Sequence, residues 1–197
     1  MNSMSNLLPL RSFIHHLDDL VTRATDEADI FGEGASLLRD LVTAGDWLPA
    51  EFAEPSRDGY RQYLLYCDPR DRFSIVSFVW MAGQSTPIHD HTVWGMIGMM
   101  RGSETSHPWT RQPDGTLAPG APRTLMPGDV ELLRPSEGDI HAVTAGDVPA
   151  VSISIHVYGA DIGKVQRHVY DASGATKSFI SGYSNRDAAL PPNSKVD

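Results

Sequence analysis

The spacing of apolar residues changes once along this chain, and that change limits the folds open to it. Up to Gly45 the apolar positions recur at helical intervals. Leu10, Phe13, Ile14, Leu17, Leu20 and Val21 form one stripe, and Ile30, Phe31, Leu37, Leu38, Leu41 and Val42 form a second. Gly45 and the Pro49 beyond it stop the second stripe. From Tyr60 onward the pattern is short runs of β-branched and aromatic residues. They are broken by turn formers such as Asp68-Pro69, Pro113-Asp114-Gly115, Pro127-Gly128-Asp129 and Ala145-Gly146-Asp147. Runs over 60–66, 73–80, 93–100, 130–133, 141–144 and 150–158 read as strands, with others between them. Many short strands without intervening helices predict an antiparallel sandwich or barrel behind two N-terminal helices.

The length of 197 residues suits one domain, expected over 1–185, with helices over about 8–45 and the barrel over about 58–182. Residues 186–197, ending Leu-Pro-Pro-Asn-Ser-Lys-Val-Asp, read as a flexible tail. Sixteen Lys and Arg against 25 Asp and Glu give a net charge of −9, which disfavours a nucleic-acid phosphate track. The single cysteine, Cys67, cannot form an intrachain disulfide and has no motif around it, so it reads as a small apolar filler. No apolar run approaches the roughly 20 residues of a membrane span, and residues 1–10 lack the pattern of a secretory leader. A cytoplasmic chain without membrane or nucleic-acid partners is the expectation, with the oligomeric state open.

The most informative segment is Gly83-Gln-Ser-Thr-Pro-Ile-His89-Asp-His91. Two histidines at i and i+2 on an extended chain project from one face, close enough for both imidazoles to reach one ion. Neutral imidazole suits zinc, iron, nickel and copper alike, so the pair points to a metal without naming it. A third donor is offered far downstream by His141, in Pro135-Ser-Glu-Gly138-Asp-Ile-His141. Together these segments resemble the two metal-binding motifs of the cupin barrels, although the slot for the first motif's glutamate carries Gly95. Three neutral imidazoles leave the ion's charge uncompensated, which favours an incoming anionic donor such as a thiolate. The 150–158 run alternates Val151, Ile153, Ile155 and Val157 with Ser152, Ser154, His156 and Tyr158. With its apolar face outward, Ser154, His156 and Tyr158 would align inside as a hydrogen-bond row.

Pro87-Ile-His89-Asp-His91-Thr, the distant His141, Ser-Ile-His-Val-Tyr at 154–158 and Phe73 to Trp80 together resemble the cysteine dioxygenase family of thiol dioxygenases, over roughly residues 60–170. The resemblance implies one mononuclear non-haem iron(II) on His89, His91 and His141, no organic cofactor, and a row of Ser154, His156 and Tyr158 beside it. The mammalian-type cysteine enzymes carry a cysteine near the place of Gly95, crosslinked to the tyrosine matching Tyr158, and an arginine where Gln62 stands. Gly95, Gln62 and an arginine after the row, Arg167, are instead similar to the bacterial 3-mercaptopropionate dioxygenases. This implies oxidation of a small thiol carboxylate by O₂ to its sulfinic acid, with Tyr158, His156 and Ser154 catalytic and Gln62 and Arg167 contacting substrate. Arg61 neighbours Gln62 on the alternate face, so a shift of one residue in register would restore the cysteine reading. The rival classes are a zinc hydrolase, lyase or isomerase on the same barrel and a small-molecule-binding cupin without turnover. Trp94, Met96, Met99 and Met100 are expected in the core, and His15, His16, His107 and His168 are read as structural.

Overall fold

In the computed structural model, which describes residues 7–192, both helical stripes form helices. They are α1 (Leu8–Arg23), with a proline in its first turn, and α2 (Glu27–Thr43), whose N-cap Asp26 accepts from the Asp29 amide. The strands follow in order: β1 (Arg61–Cys67), β2 (Ser74–Met81), β3 (Ile88–His89), β4 (Gly95–Arg101), β5 (Glu104–Arg111) and β6 (Leu117–Pro119). After them come β7 (Arg123–Leu125), β8 (Val130–Leu133), β9 (His141–Ala145), β10 (Val151–Tyr158), β11 (Arg167–Tyr170) and β12 (Thr176–Phe179).

Two antiparallel sheets result. One has the order β1-β2-β10-β4-β8, and the other β12-β11-β3-β9-β5-β6 with β7 also on β5. All six strands expected from the sequence are present within two residues of their expected ends. The fold is mainly antiparallel β, two sheets forming a barrel behind two N-terminal helices, the architecture expected of the cupin-like motifs. No helix among the described residues is long and apolar enough to cross a membrane.

Strand alternation divides the apolar side chains into two clusters. On β10, Ile153, Ile155 and Val157 face outward and pack with Leu10, Leu17, Leu20 and Leu38 of the helices. Each such fully buried side chain stabilises the fold by about 1.5–3 kcal/mol. The helix layer lies close because Gly98 on β4 has no side chain: a Cβ there would sit 2.8 Å from Leu38 Cγ and 2.9 Å from Val42 Cγ1. The second cluster, including Val76, Phe78, Trp80, Ile97 and Val143, lies inside the barrel. Met96 and Met99 are fully buried, and Trp94 and Met100 are partly buried against the outer cluster, as expected of core residues.

The expected tail is corrected in its first part. Leu190 is buried against the outer cluster and its amide donates to Leu65 O, while the Asn185 side chain bridges to the Leu64 backbone. Leu190 and these three hydrogen bonds, two of them made by Asn185 just before the expected tail, dock residues 185–190 along β1. Residues 193–197 of that tail lie outside the described residues.

Candidate metal centre

His89 and His141 are directly opposed partners across β3 and β9. His91 does not share the strand of His89: β3 ends at His89 and the chain turns away through Asp90. The turn is held by the Asp90 carboxylate, which accepts from the His168 amide at 2.8 Å and the Tyr170 hydroxyl at 2.6 Å and contacts His168 Nδ1 at 2.9 Å. His91 therefore reaches the centre from a bend rather than from the continuous extended segment the spacing suggested. His168, read as structural, contributes to holding that bend.

The three ring centroids lie 4.8, 4.9 and 5.0 Å apart, and one donor atom from each histidine lies within 4.8 Å of the others. Each Nδ1 is already occupied. That of His89 faces Pro87 O at 3.0 Å, that of His91 faces Asp139 Oδ2 at 3.1 Å, and that of His141 faces Ser106 Oγ at 3.1 Å. A carbonyl oxygen only accepts, so His89 Nδ1 carries the proton and its Nε2 lone pair is free. Asp139, when ionised, imposes the same tautomer on His91, and it also accepts the His91 amide at 2.8 Å. Ser106, which hydrogen-bonds Glu131, can do so for His141 by giving its own proton to that carboxyl.

Burial depresses all three imidazoles, His89 to about 4 and the other two well below their usual value, and their mutual repulsion adds to this in His91 and His141. Three neutral, buried rings with converging free nitrogens fit a divalent transition ion and would leave coordination positions open to ligands. Iron, zinc, copper and nickel all meet that description.

The histidines form one wall of a cavity of about 280 Å³. Another wall is the inner face of β10, where the row expected from the sequence is continuous: Ser154 Oγ is 2.8 Å from His156 Nε2, and His156 Nδ1 is 2.8 Å from Tyr158 Oη. The His156 ring stacks on Phe78 with centroids 4.0 Å apart, and the Tyr158 ring lies nearly parallel to His91 at 5.6 Å. Burial pulls His156 down to about 3 and pushes the Tyr158 phenol up, so both are neutral. The row continues beyond Ser154 to Glu104, a buried carboxyl that the sequence reading missed. Nothing local marks Glu104; only the packing of one sheet on the other brings it from β5 to β10.

Arg167 and Gln62 line the same cavity. Arg167 is 4% exposed, stacks its guanidinium 4.7 Å from the Phe179 ring centroid and donates to Ser181 Oγ at 2.6 Å. Its Nε has no partner, and it makes no ion pair among the described residues. Gln62 Nε2 donates to Gly182 O at 2.5 Å. Arg61 points elsewhere, to Ser56 Oγ at 2.9 Å, and does not line the cavity, so the register places Gln62 at the pocket. Gly95 pairs with Tyr158 across β4 and β10, and a Cβ there would lie 3.1 Å from Tyr158 Cδ1. Cys67 does not line the cavity, and burial next to Asp161 and Asp71 pushes its thiol up to about 12.

No protein-family model matches the chain. Solved structures with a similar arrangement include an uncharacterized conserved protein with a double-stranded β-helix domain from Klebsiella pneumoniae, at 14% identity over 67% of this chain and 87% of that one, TM-score 0.45. An RmlC-like cupin family protein with a double-stranded β-helix fold from Methanocaldococcus jannaschii aligns at 14% identity over 54% and 87%, TM-score 0.39. An oxalate oxidase in complex with the substrate analogue glycolate aligns at 13% identity over 55% of each chain, TM-score 0.43. Strand order and side-chain geometry together define a two-sheet antiparallel β-barrel with a candidate three-histidine metal centre.

Proposed function

We propose that this chain is an iron(II) thiol dioxygenase that converts a small thiol carboxylate, 3-mercaptopropionate, to its sulfinic acid. The observation that carries this reading is Arg167: a guanidinium buried in the wall of the histidine pocket, with an unpartnered Nε and no carboxylate in ion-pair contact among the described residues, Asp90 acting on it only from farther off. A buried cation without a counter-ion is costly, and an anionic ligand relieves that cost. No aspartate or glutamate lines the cavity. That favours a thiol carboxylate over cysteine, whose ammonium group would find no counter-charge there, and disfavours cationic cysteamine more strongly.

Iron(II) on His89, His91 and His141 would supply sites where thiolate sulfur and O₂ are brought together. The overall change, R–SH + O₂ → R–SO₂H, places both oxygen atoms on sulfur and needs no outside reductant. The protein's own groups do the rest. Arg167 pairs with the substrate carboxylate through its guanidinium, and Ser181 and Phe179 fix that group in place. Tyr158, fixed by His156 and Ser154, offers a hydroxyl beside His91, and Gln62 adds a neutral polar contact. Phe78, Trp80 and Val143 exclude water from the reacting end.

The test is metal content together with O₂ uptake on 3-mercaptopropionate, cysteine and cysteamine after anaerobic iron loading. The reading requires preference in that order. Zinc-bound protein that stays silent after exchange to iron would instead favour a hydrolase, lyase or isomerase, or a binding protein.

A further inference from the structure

We infer that Glu104 is a positioning residue whose protonation state sets the direction of the whole Ser154–His156–Tyr158 hydrogen-bond row, and hence whether Tyr158 presents a donor or an acceptor to the pocket. The inference rests on the proposed function only for its consequence to substrate, because the order of protons in the row involves neither metal nor thiol.

Glu104 is 1% exposed, with Oε2 3.0 Å from Ser154 Oγ and Oε1 3.4 Å from Ser152 Oγ. Its strand partners on β7 and β9 are Leu125 and Ala145, which carry no charge. From β10 it meets the two serines, with His156 behind Ser154; from β8 the facing ionisable group is Glu131, a second acid. No cation among the described residues pairs with it. Burial, against the help of the two serines, raises this carboxyl to about 8, so it is mostly neutral at pH 7.

Proton counting then fixes the row. A neutral carboxyl has one hydrogen to give, a serine hydroxyl has one, and a neutral imidazole has one donor and one acceptor nitrogen. With the proton on Glu104 Oε2, the oxygen that makes the shorter serine contact, its O–H donates to Ser154 Oγ and Ser154 donates to His156 Nε2. His156 Nδ1–H then donates to Tyr158 Oη, and the Tyr158 hydrogen is free to point at a ligand. With Glu104 ionised, it accepts from Ser154, so Ser154 can only accept from His156 Nε2–H. His156 Nδ1 then accepts from Tyr158, whose oxygen turns lone pairs toward the cavity. One proton at Glu104 Oε2 reverses every bond in the row, because no member has a spare hydrogen. The neutral state is the one that lets Tyr158 donate to an anionic substrate.

The tautomer of His156 reports this directly. The experiment is ¹⁵N NMR of the metal-free protein labelled at histidine, followed from about pH 6 to about pH 9.5, in wild type and in Glu104→Gln. The expected result is a proton on Nδ1 at low pH and on Nε2 at high pH, with a midpoint within about one unit of 8, and a pH-independent tautomer in Glu104→Gln. The same tautomer throughout in wild type, or a switch that persists in the variant, overturns the assignment. The wild-type titration decides even if the variant folds poorly. Either outcome leaves thiol oxidation to its own assay, and failed oxidation would not alter the tautomer result.

Discussion

Asp139 Oδ2 lies 3.1 Å from His91 Nδ1 and 2.8 Å from the His91 amide, so one carboxylate oxygen fixes both the ring and the backbone of a candidate metal ligand. Asp139→Asn should keep the fold but weaken metal binding by about 10–100-fold, the usual cost of removing a carboxylate behind a ligating histidine. Competition with a chelator of known affinity measures it. His89→Ala, His91→Ala and His141→Ala should each abolish stable loading, whereas Tyr158→Phe should retain the metal and slow turnover.

Arg167 predicts two effects of opposite sign. Arg167→Met removes a buried cation that makes no ion pair among the described residues, so the ligand-free variant should melt higher than wild type. Its affinity for 3-mercaptopropionate should fall by about 30-fold or more, since losing a buried charge partner costs about 2–5 kcal/mol. Thermal unfolding and steady-state KM measured on the same preparation check both.

Much of this site was legible in the sequence because its spacing is local. Ser154, His156 and Tyr158 alternate along one strand, so elementary strand geometry brings them together, whereas His89 and His91 stand two apart and the spacing marks the pair although a bend at Asp90, not a shared strand, delivers His91. His141 was offered as the third donor by its motif-like segment, Gln62 and Arg167 were reached through the family resemblance, and the fold brings all three to the same cavity. Glu104, Asp139 and Ser106 were not legible, because each meets its partner only through contact between segments distant in sequence: Glu104 from one sheet to the other, Ser106 across β5 and β9, and Asp139 from the loop before β9. The docked segment ending at Leu190 was missed for a related reason. Its polar composition and the Pro191-Pro192 pair that follows suggest a tail, while its attachment is a buried leucine and hydrogen bonds to the β1 backbone.

The buried ionisable groups set the pH profile of the metal-free protein. His89, near 4, and His156, near 3, remain neutral when folded but bind protons when unfolded below about 6.5. Acid therefore favours the unfolded chain, and stability falls from about pH 6.5 down to the folded values, by about 1.4 kcal/mol per pH unit for each group. His91 and His141 act in the same direction. Glu104 works oppositely: protonated when folded up to about 8, it loses its proton near the ordinary carboxylate value when unfolded, so stability declines as pH rises toward 8. Urea unfolding across this range should show a maximum near neutrality, with a steep acid side and a shallow alkaline one.

Gly98 tests the link between the helix layer and the barrel. Gly98→Val places new atoms where Leu38 and Val42 already sit and should cost about 1–3 kcal/mol, lowering the melting temperature by several degrees. Gly95→Ala should cost less stability but push on the Tyr158 ring, so its larger effect should be on turnover.

The most direct measurement of the central claim is mass analysis of the product formed from 3-mercaptopropionate by iron-loaded protein under ¹⁸O₂. The account predicts a sulfinate carrying two labelled oxygens, with one O₂ consumed per thiol. Solvent oxygen in the sulfinate, or no sulfinate from protein whose three histidines are shown to hold iron, would contradict it.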